Sequence, residues 1–250
     1  LGKALSLGAE KIATGHYALV KNIDNKVTLW KAKDNIKDQS YFLSLVPGHK
    51  LKNVIFPLAS WSKKEVRKFL QKKSISPIIS RESNEICFID NDYREFLLQK
   101  GIDLPGPGPI KTSKGEILGT HKGLWRYTLG QRKGIGIAYK YPLYVTGKDL
   151  AHNTLIVGPE EELWSQGCIV QDVNFLVPPE QWPEEILAQT RYRQKAKKAR
   201  VKIKDNGNLL QIFFIEPQKL PTPGQVAALF SPQGQVLGAG IIKKGVRDKG

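Results

Sequence analysis

Apolar and polar positions follow different periods in different parts of this chain. In residues 1–105 they recur at helical spacing, as in the segment "SKKEVRKFLQKK". There, Ser62 and Glu65 have the spacing of a capping box, and Val66 and Phe69 belong to one apolar stripe. A short apolar run that ends at Gly15 precedes this segment and predicts a strand. The first region is therefore predicted to be α/β.

The residue pattern changes at "DLPGPGPI", where prolines and glycines interrupt regular secondary structure. Short alternating runs follow, which are typical of β-strands. We place one boundary here and a second before the last alternating runs, so a small central β domain is predicted over 106–165. Residues 166–250 contain about six runs of strand length, enough to close a small barrel. The predicted fold class is α/β followed by all-β, with a C-terminal β-barrel.

Basic residues are concentrated in "RYRQKAKKARVKIK", residues 191–204. The charged positions alternate, and their phase changes at Lys197 and Lys198. This pattern predicts two adjacent strands that meet at a turn or bulge and present one positive surface. The chain carries 39 Lys and Arg against 23 Asp and Glu, a net charge of +16. A nucleic acid is therefore the leading class of partner.

The remaining composition indicates a globular protein of the cytoplasm. Hydrophobic residues make up 40% of the 250 residues, and no apolar run has the length of a membrane span. The N-terminal segment lacks the features of a secretory signal. The chain begins with Leu1 and contains no methionine, so we expect that a segment precedes it in the complete protein.

Two cysteines are present, Cys87 and Cys168, and neither belongs to a C-x-x-C motif. The histidines show no metal spacing, so no structural metal is expected. Cys168 opens an alternating strand and is predicted to be a core residue. Cys87, in "SNEICFID", is consistent with a small buried side chain and with a reactive thiol, and local sequence leaves both open.

The segment "GQRKGIGI" contains Gly130, Gly134 and Gly136 at a spacing that matches no phosphate loop. We interpret them as glycines of β-structure. Arg132 and Lys133 between them are candidate phosphate contacts.

The order of short motifs along the chain is more specific than any one of them, and together they resemble the tRNA-specific 2-thiouridylase family. The motifs are "ATGHYA" (13–18), "KDQSYFL" (37–43), "FPL" (56–58), "ICFI" (86–89), "PGPI" (107–110), "GQRKGIGI" (130–137), "GKDLAHNTLIVG" (147–158), "RYRQ" (191–194), "EPQ" (216–218), "TPGQ" (222–225) and "GAGII" (238–242). The resemblance covers essentially the whole chain.

This resemblance implies part of a Rossmann-like ATP-pyrophosphatase domain over 1–105, followed by the central β domain and a tRNA-binding barrel over 166–250. It implies ATP-dependent 2-thiolation of the wobble uridine of tRNA. ATP, with Mg²⁺, adenylates the uracil O2, and a cysteine persulfide loaded by a sulfur-relay donor protein supplies the sulfur. Adenylation turns a poor leaving group into AMP, and a persulfide is a strong nucleophile.

The family's functional residues match positions of this chain. Cys87 matches the persulfide cysteine, and Gly15 matches a position whose backbone contacts ATP. The positions that match tRNA contacts are His16, Lys37, Asp38, Gln39, Arg191, Tyr192 and Gln225.

Two departures limit what the resemblance implies. The family's phosphate loop and first cysteine have no counterpart here and belong upstream of Leu1, so this chain alone is expected to bind tRNA without thiolating it. The residues before Cys87 are Ser83, Asn84 and Glu85, and an acidic neighbour disfavours a thiolate. The alternative is a non-catalytic RNA-binding β-barrel module. A translation-factor-like barrel is a weaker interpretation, because the chain has no nucleotide-binding P-loop.

Overall fold

The computed structural model divides the chain into two compact units. The first, called the barrel unit below, joins Leu1–Ile75 to Ser165–Gly250, and the second, the central unit, is Ser76–Trp164. The structure describes residues 1–24, 26–75, 96–97, 99–102 and 104–246. Within these residues, none of the helices combines the length and the apolar character that crossing a membrane requires.

The barrel unit begins with small α/β elements. β1 and β4 pair in parallel, with Ile12 opposite Val54, whereas β2 and β3 form an antiparallel hairpin. A parallel pair needs a crossover connection, which is the signature of α/β structure. The elements are α1 (Gly2–Ser6), β1 (Ile12–Ala13), β2 (Leu19–Ile23), β3 (Lys26–Trp30), α2 (Ser40–Leu43), α3 (Gly48–Leu51), β4 (Val54–Ile55) and α4 (Lys63–Lys72).

Helix α4 begins at the predicted capping box. The Ser62 Oγ accepts a hydrogen bond from the Glu65 N–H at 3.2 Å, and the Glu65 Oε2 accepts one from the Ser62 N–H at 2.6 Å. The box is therefore confirmed, and it satisfies two backbone donors that a helix N-terminus leaves unpaired. The apolar stripe is less enclosed than its pattern suggests, because no residue of α4 is buried and Phe69 is 45% exposed.

The central unit contains a four-stranded sheet with the strand order β6, β5, β8, β7. β5 and β8 are parallel, and the other two pairs are antiparallel. The strands are β5 (Gly108–Thr112), β6 (Ile117–His121), β7 (Tyr144–Asp149) and β8 (Thr154–Gly158). The interpretation of Gly130, Gly134 and Gly136 as β-structure glycines is wrong. They lie in the connection before β7 at φ values of +84°, +78° and +78°, which strands do not adopt and which glycine tolerates best.

The barrel unit is completed by six strands that form a closed barrel, in the order β10, β11, β12, β9, β14, β13, with β13 pairing back to β10. A Cβ on Gly167 of β9 would lie 2.1 Å from the Ile212 carbonyl oxygen of β12, so the close approach of these strands requires glycine. The strands are β9 (Trp164–Phe175), β10 (Ile186–Gln189), β11 (Lys197–Lys204), β12 (Leu209–Lys219), β13 (Val226–Phe230) and β14 (Val236–Val246). The predicted barrel of six strands and the mixed α/β and all-β fold class are confirmed.

Short 3₁₀ helices occur in several connections of both units. They are Leu124–Arg126, Glu160–Leu163, Pro179–Gln181 and Asp205–Gly207.

The basic run contains one strand rather than two, so the prediction of two basic strands that meet at Lys197 and Lys198 is wrong. Residues 190–196 form the loop between β10 and β11. The Gln189 side-chain amide donates to the Arg191 carbonyl at 3.0 Å and the Tyr192 carbonyl at 2.6 Å. The Gln189 side chain therefore bonds to carbonyls that would otherwise accept hydrogen bonds from a neighbouring strand. The alternation of charged residues does not predict this interaction. Only β11 keeps the alternating basic face.

Strand β13 packs on both faces. Ala227 and Leu229 belong to the core inside the barrel, whereas Ala228 and Phe230 belong to a second core outside it. The outer core contains residues of the first segment such as Leu29. Double-sided burial explains why "VAALF" is continuously apolar rather than alternating.

Hydrogen bonds also join the first segment to the barrel. The Asn174 side-chain amide of β9 donates to the carbonyls of Ser44 at 2.8 Å and Val46 at 3.1 Å, just after α2. The Tyr41 hydroxyl donates to the Val226 carbonyl at 2.9 Å. Helix α2 is therefore held against the barrel at both of these points.

Candidate nucleic-acid interface

Gly15 and His16 follow β1, where the chain leaves the parallel pair. Gly15 is exposed, and a Cβ built on it would meet only the Leu58 Cδ1, at 3.9 Å. The backbone at this position is therefore open to approach. The His16 Nδ1 lies 2.9 Å from the Thr14 Oγ1, and its ring stands edge-on to Phe56 with centroids 5.9 Å apart. These contacts fix the imidazole beside the open backbone.

Gln39 connects this strand end to the "KDQ" tripeptide. Its side-chain Oε1 accepts from the Tyr17 N–H at 3.0 Å, and its backbone N–H donates to the Tyr17 carbonyl at 2.7 Å. Tyr17 follows His16 directly in the chain, so Gln39 lies close to His16 although they are distant in sequence.

Asp38 has a structural role in the same tripeptide. Its carboxylate accepts hydrogen bonds from the Ala32 N–H at 2.9 Å, the Ser40 N–H at 3.3 Å and the Ser40 hydroxyl at 2.6 Å. The carboxylate therefore organises the turn that carries Lys37 and Gln39 and the start of α2.

Asp34 anchors this turn to α4. Its carboxylate accepts from the Lys63 N–H at 2.9 Å, and from the N–H groups of Lys37 and Ile36. The hydrogen bond from Lys63, at the first residue of α4, is the main reason that the pKa of Asp34 lies below its usual value. The carboxylate stays ionised at neutral pH and keeps both backbone segments in place.

Phe42 brings α2 next to the loop after β10. Its ring centroid lies 4.4 Å from that of Tyr192, with the rings tilted by 41°, and Phe42 is 52% exposed. The preceding Tyr41 is buried against the barrel. A largely exposed aromatic ring beside a tyrosine in a basic loop is a surface on which a nucleic-acid base can stack.

Arg191 contacts the turn before β13, which also carries Gln225. The Arg191 Nη2 donates to the Thr222 hydroxyl at 3.1 Å and to the Leu220 carbonyl at 3.4 Å. The Gln225 N–H donates to the Thr222 carbonyl at 3.1 Å. The Arg191 guanidinium therefore lies beside the turn that carries Gln225.

The structure thus links all the described candidate residues by successive contacts within the barrel unit. The links run from Gly15 and His16 through Tyr17 to the "KDQ" turn, then through Phe42 and Tyr192 to Arg191 and the turn of Gln225. Cys87 lies outside the described residues.

The cations of β11 differ in whether an acidic side chain neutralises them. Lys197 pairs with Glu216 at 3.1 Å, and Lys198 pairs with Glu185. Arg200, Lys202 and Lys204 are exposed and have no acidic partner among the residues that the structure describes. These three are the side chains of β11 best placed to bind an external anion.

Cys168 is confirmed as a core residue. It is fully buried inside the barrel, and burial raises the pKa of its thiol to about 12. The described residues include no cluster of three or more His, Cys, Asp or Glu side chains that could hold a metal ion.

Phe42 is the site residue that the sequence did not single out. It lies within the "KDQSYFL" motif, but nothing in the sequence shows that Tyr41 points into the core while Phe42 remains exposed. That distinction depends on which side of a helix as short as α2 meets the barrel.

Three family models match successive parts of the chain. A tRNA methyl transferase HUP domain matches residues 1–91, a tRNA methyl transferase PRC-barrel domain matches residues 94–159, and an aminomethyltransferase β-barrel domain matches residues 165–242. The HUP match covers the α/β elements, and the third match covers most of the closed barrel.

Curated relatives match nearly the whole chain. The tRNA-specific 2-thiouridylase MnmA of Nitratidesulfovibrio vulgaris (strain Miyazaki F) is 48% identical over 97% of this chain and 69% of its own length. The proteins of the same name from Oleidesulfovibrio alaskensis and Halothermothrix orenii are 46% and 41% identical, over 96% and 98% of this chain. On these matches, with the domain order and the closed barrel, the chain belongs to the tRNA-specific 2-thiouridylase family.

Proposed function

We propose that this chain forms the tRNA-binding and sulfur-carrying part of a tRNA-uridine 2-sulfurtransferase that acts on the wobble uridine. The observation that carries the proposal is the unbroken series of contacts from Gly15 to Gln225. Residues from distant parts of the sequence form one neighbourhood that combines an open strand end, an aromatic pair with one exposed ring, and a basic loop. The relatives' name is consistent with such a surface.

In this proposal tRNA is held in two ways. Arg200, Lys202 and Lys204 bind backbone phosphates, which supplies affinity without sequence specificity. Phe42 and Tyr192 stack on an unpaired base, because base-specific contacts to RNA need bases that are free of a helix. Lys37 and Gln39 face the same nucleotide from the turn that Asp38 organises.

ATP enters the proposal as a substrate that supplies the adenylyl group activating the uracil oxygen. Gly15 fits a nucleotide in that its backbone is exposed and meets no neighbour closer than Leu58. We assign His16, which Thr14 holds in place, to contact with the tRNA beside that position. Mg²⁺ would accompany the nucleotide phosphates.

Cys87 is the proposed sulfur carrier, loaded by a sulfur-relay donor protein. The other thiol is unsuited to this task, because Cys168 is buried inside the barrel and its pKa is raised to about 12. A nucleophilic sulfur must be accessible and readily ionised.

The test compares Cys87→Ser with Cys168→Ala in the complete protein. With ATP, Mg²⁺ and a persulfide donor present, 2-thiouridine in the tRNA is measured by mass spectrometry. We expect Cys87→Ser to abolish thiolation while tRNA binding is retained, and Cys168→Ala to preserve both.

The alternative, a non-catalytic RNA-binding module, predicts a different result. In that case the complete protein forms no 2-thiouridine, and Cys87→Ser changes no measurable property. Thiolation by the Cys87→Ser protein at the normal rate would also refute the assignment of Cys87.

A further inference from the structure

The connection before β7 in the central unit contains the motif "GQRKGIGI", which none of the contacts described above uses. It runs from Gly130 to Leu143 and includes two glycines, Gly134 and Gly136, at φ +78°. A Cβ on Gly136 would meet nothing within 4 Å, and one on Gly134 would meet only the Gln131 Nε2, at 3.6 Å. The glycines are therefore required by the backbone path and leave the surface of the loop open.

Buried residues hold this loop to the sheet beneath it. Ile135 and Leu143 belong to the hydrophobic core of the central unit. Ile137 packs over Gly119 of β6, where a Cβ would lie 2.6 Å from the Ile137 Cδ1. Tyr139 and Tyr141 also pack against this core and are partly buried, so alternate side chains anchor the loop.

Hydrogen bonds fix the first turn of the loop. The Gly130 N–H donates to the Val145 carbonyl at 2.8 Å, and the Val145 N–H donates to the Gln131 carbonyl at 2.9 Å. The Gln131 side chain accepts from the Thr128 N–H at 2.9 Å and donates to the Lys133 carbonyl at 2.8 Å. The backbone that carries Arg132 and Lys133 is therefore shaped before any ligand binds.

The side chains of the loop that reach solvent are basic, and two partly buried tyrosines lie beside one of them. Arg132, Lys133 and Lys140 are exposed and have no acidic partner within the described part of the chain. Tyr139 and Tyr141 stand edge to face with centroids 4.9 Å apart, and the Lys140 Nζ lies 5.6 Å and 5.8 Å from their ring centroids.

Glu116 orients Tyr139 from the neighbouring hairpin. The Tyr139 hydroxyl donates to the Glu116 Oε2 at 2.9 Å. This hydrogen bond is the main reason that the pKa of Tyr139 is raised to about 12. The Glu116 carboxylate therefore accepts a hydroxyl beside the aromatic pair, and it forms no ion pair with Arg132, Lys133 or Lys140 among the described residues.

Arg132, Tyr139, Lys140 and Tyr141 line a groove of about 430 Å³. We propose that this groove, together with the neighbouring Lys133, is a second RNA-contacting surface, with backbone phosphates on Arg132, Lys133 and Lys140 and an unpaired base against Tyr139 and Tyr141. The inference rests on the proposed function in that it takes the ligand to be tRNA.

The chemistry of the groove favours a strand of RNA over a free nucleotide. Three cations spread along one loop match successive phosphates, and rings beside them offer a stacking surface for any base.

The test measures tRNA binding by the whole chain as a function of salt concentration. Arg132→Ala with Lys133→Ala is expected to weaken binding and to lower the slope of log affinity against log salt by about two, since each lost phosphate contact removes about one unit. Tyr141→Ala is expected to weaken binding about tenfold with the slope unchanged, as for a lost base stack. Tyr141→Phe retains the ring and should bind normally.

The charge-matched control is Lys50→Ala with Lys52→Ala, which removes two exposed lysines at α3. An equal loss in this control, or unchanged affinity and slope in the Arg132 and Lys133 variant, would overturn the inference. If the unaltered chain binds tRNA no better than it binds heparin of similar charge, the proposed function fails instead. Binding of free ATP or inorganic phosphate to the groove, lost in the same variant while tRNA binding persists, would assign the groove to a small anion and refute the RNA surface.

Discussion

Phe42 and Tyr192 place their ring centroids 4.4 Å apart, and they join α2 to the loop that follows β10. Neither residue could form this pair without the packing of the first segment on the barrel. Phe42 remains 52% exposed after making it. The pair therefore stabilises the junction and also leaves an aromatic surface facing solvent.

Replacing Phe42 tests this surface directly. We expect Phe42→Ala to weaken tRNA binding about tenfold, because alanine removes a base-stacking platform. The salt slope should be unchanged, since no cation is lost. Affinity and slope are measured by fluorescence anisotropy at several salt concentrations.

The control for this variant is Ile215→Ala on β12. Ile215 is 54% exposed, so the substitution removes a similar exposed apolar side chain outside the pair. A Phe42→Ala protein that binds tRNA as tightly as the Ile215→Ala protein would show that the pair has only a packing role.

The cations of β11 should contribute unequally to RNA binding. We expect Arg200→Ala with Lys204→Ala to lower the salt slope by about two. Lys197→Ala should lower it by less than one, because Glu216 already neutralises Lys197 in part. Equal slopes for the parent chain and the double variant would remove β11 from the interface.

Arg191→Ala should behave differently from these variants. Its guanidinium also holds Thr222 and the Leu220 carbonyl. We expect a loss of folding stability of about 1 kcal/mol in addition to weaker RNA binding, since a net hydrogen bond is worth about that much. Thermal unfolding without RNA separates the effect on stability from the effect on RNA binding. An unchanged unfolding midpoint would contradict the predicted loss of stability.

The Cys168 thiol should resist alkylation in the folded protein. At pH 8, Cys168 is expected to resist iodoacetamide until the barrel unfolds, because it is fully buried and its pKa is raised to about 12. Peptide mass spectrometry with and without urea measures this. Modification of Cys168 in the folded protein would show that the barrel core opens readily.

Acid should weaken the start of α4. The hydrogen bond from Lys33, followed by those from Ser62, lowers the pKa of Glu65 to about 2 from its usual value of 4.5. Its contribution to stability is therefore present above pH 4.5 and lost as the pH falls towards 2. The unfolding free energies of the parent chain and Glu65→Gln should differ most above pH 5 and converge near pH 2.

Glu180→Gln serves as the control for this pH dependence, because its carboxylate is exposed and makes no hydrogen bond among the described residues. The difference in unfolding free energy between Glu180→Gln and the parent chain should not change over the same pH range. If the difference in unfolding free energy between Glu65→Gln and the parent chain does not depend on pH, the proposed role of the ionised carboxylate is wrong.

The sequence predicts some features of this fold well because they depend on local spacing. The capping box of α4 needs only two residues three positions apart, and the six barrel strands are separated by turn residues. The loop of residues 190–196 could not be predicted, because the Gln189 side chain ends the strand pairing there. Likewise, the exposure of Phe42 depends on tertiary packing. The roles of the individual site residues stay predictions.

Strand β13 gives the barrel an apolar patch on its outer surface, since Ala228 and Phe230 pack against the first segment. Expressed alone, residues 165–250 would present these side chains to water, and we expect such a fragment to aggregate or to recruit another hydrophobic surface. A barrel of this kind could be transplanted to another protein only together with its covering segment. The barrel and its covering segment are therefore expected to be kept together, although the central unit lies between them in the chain.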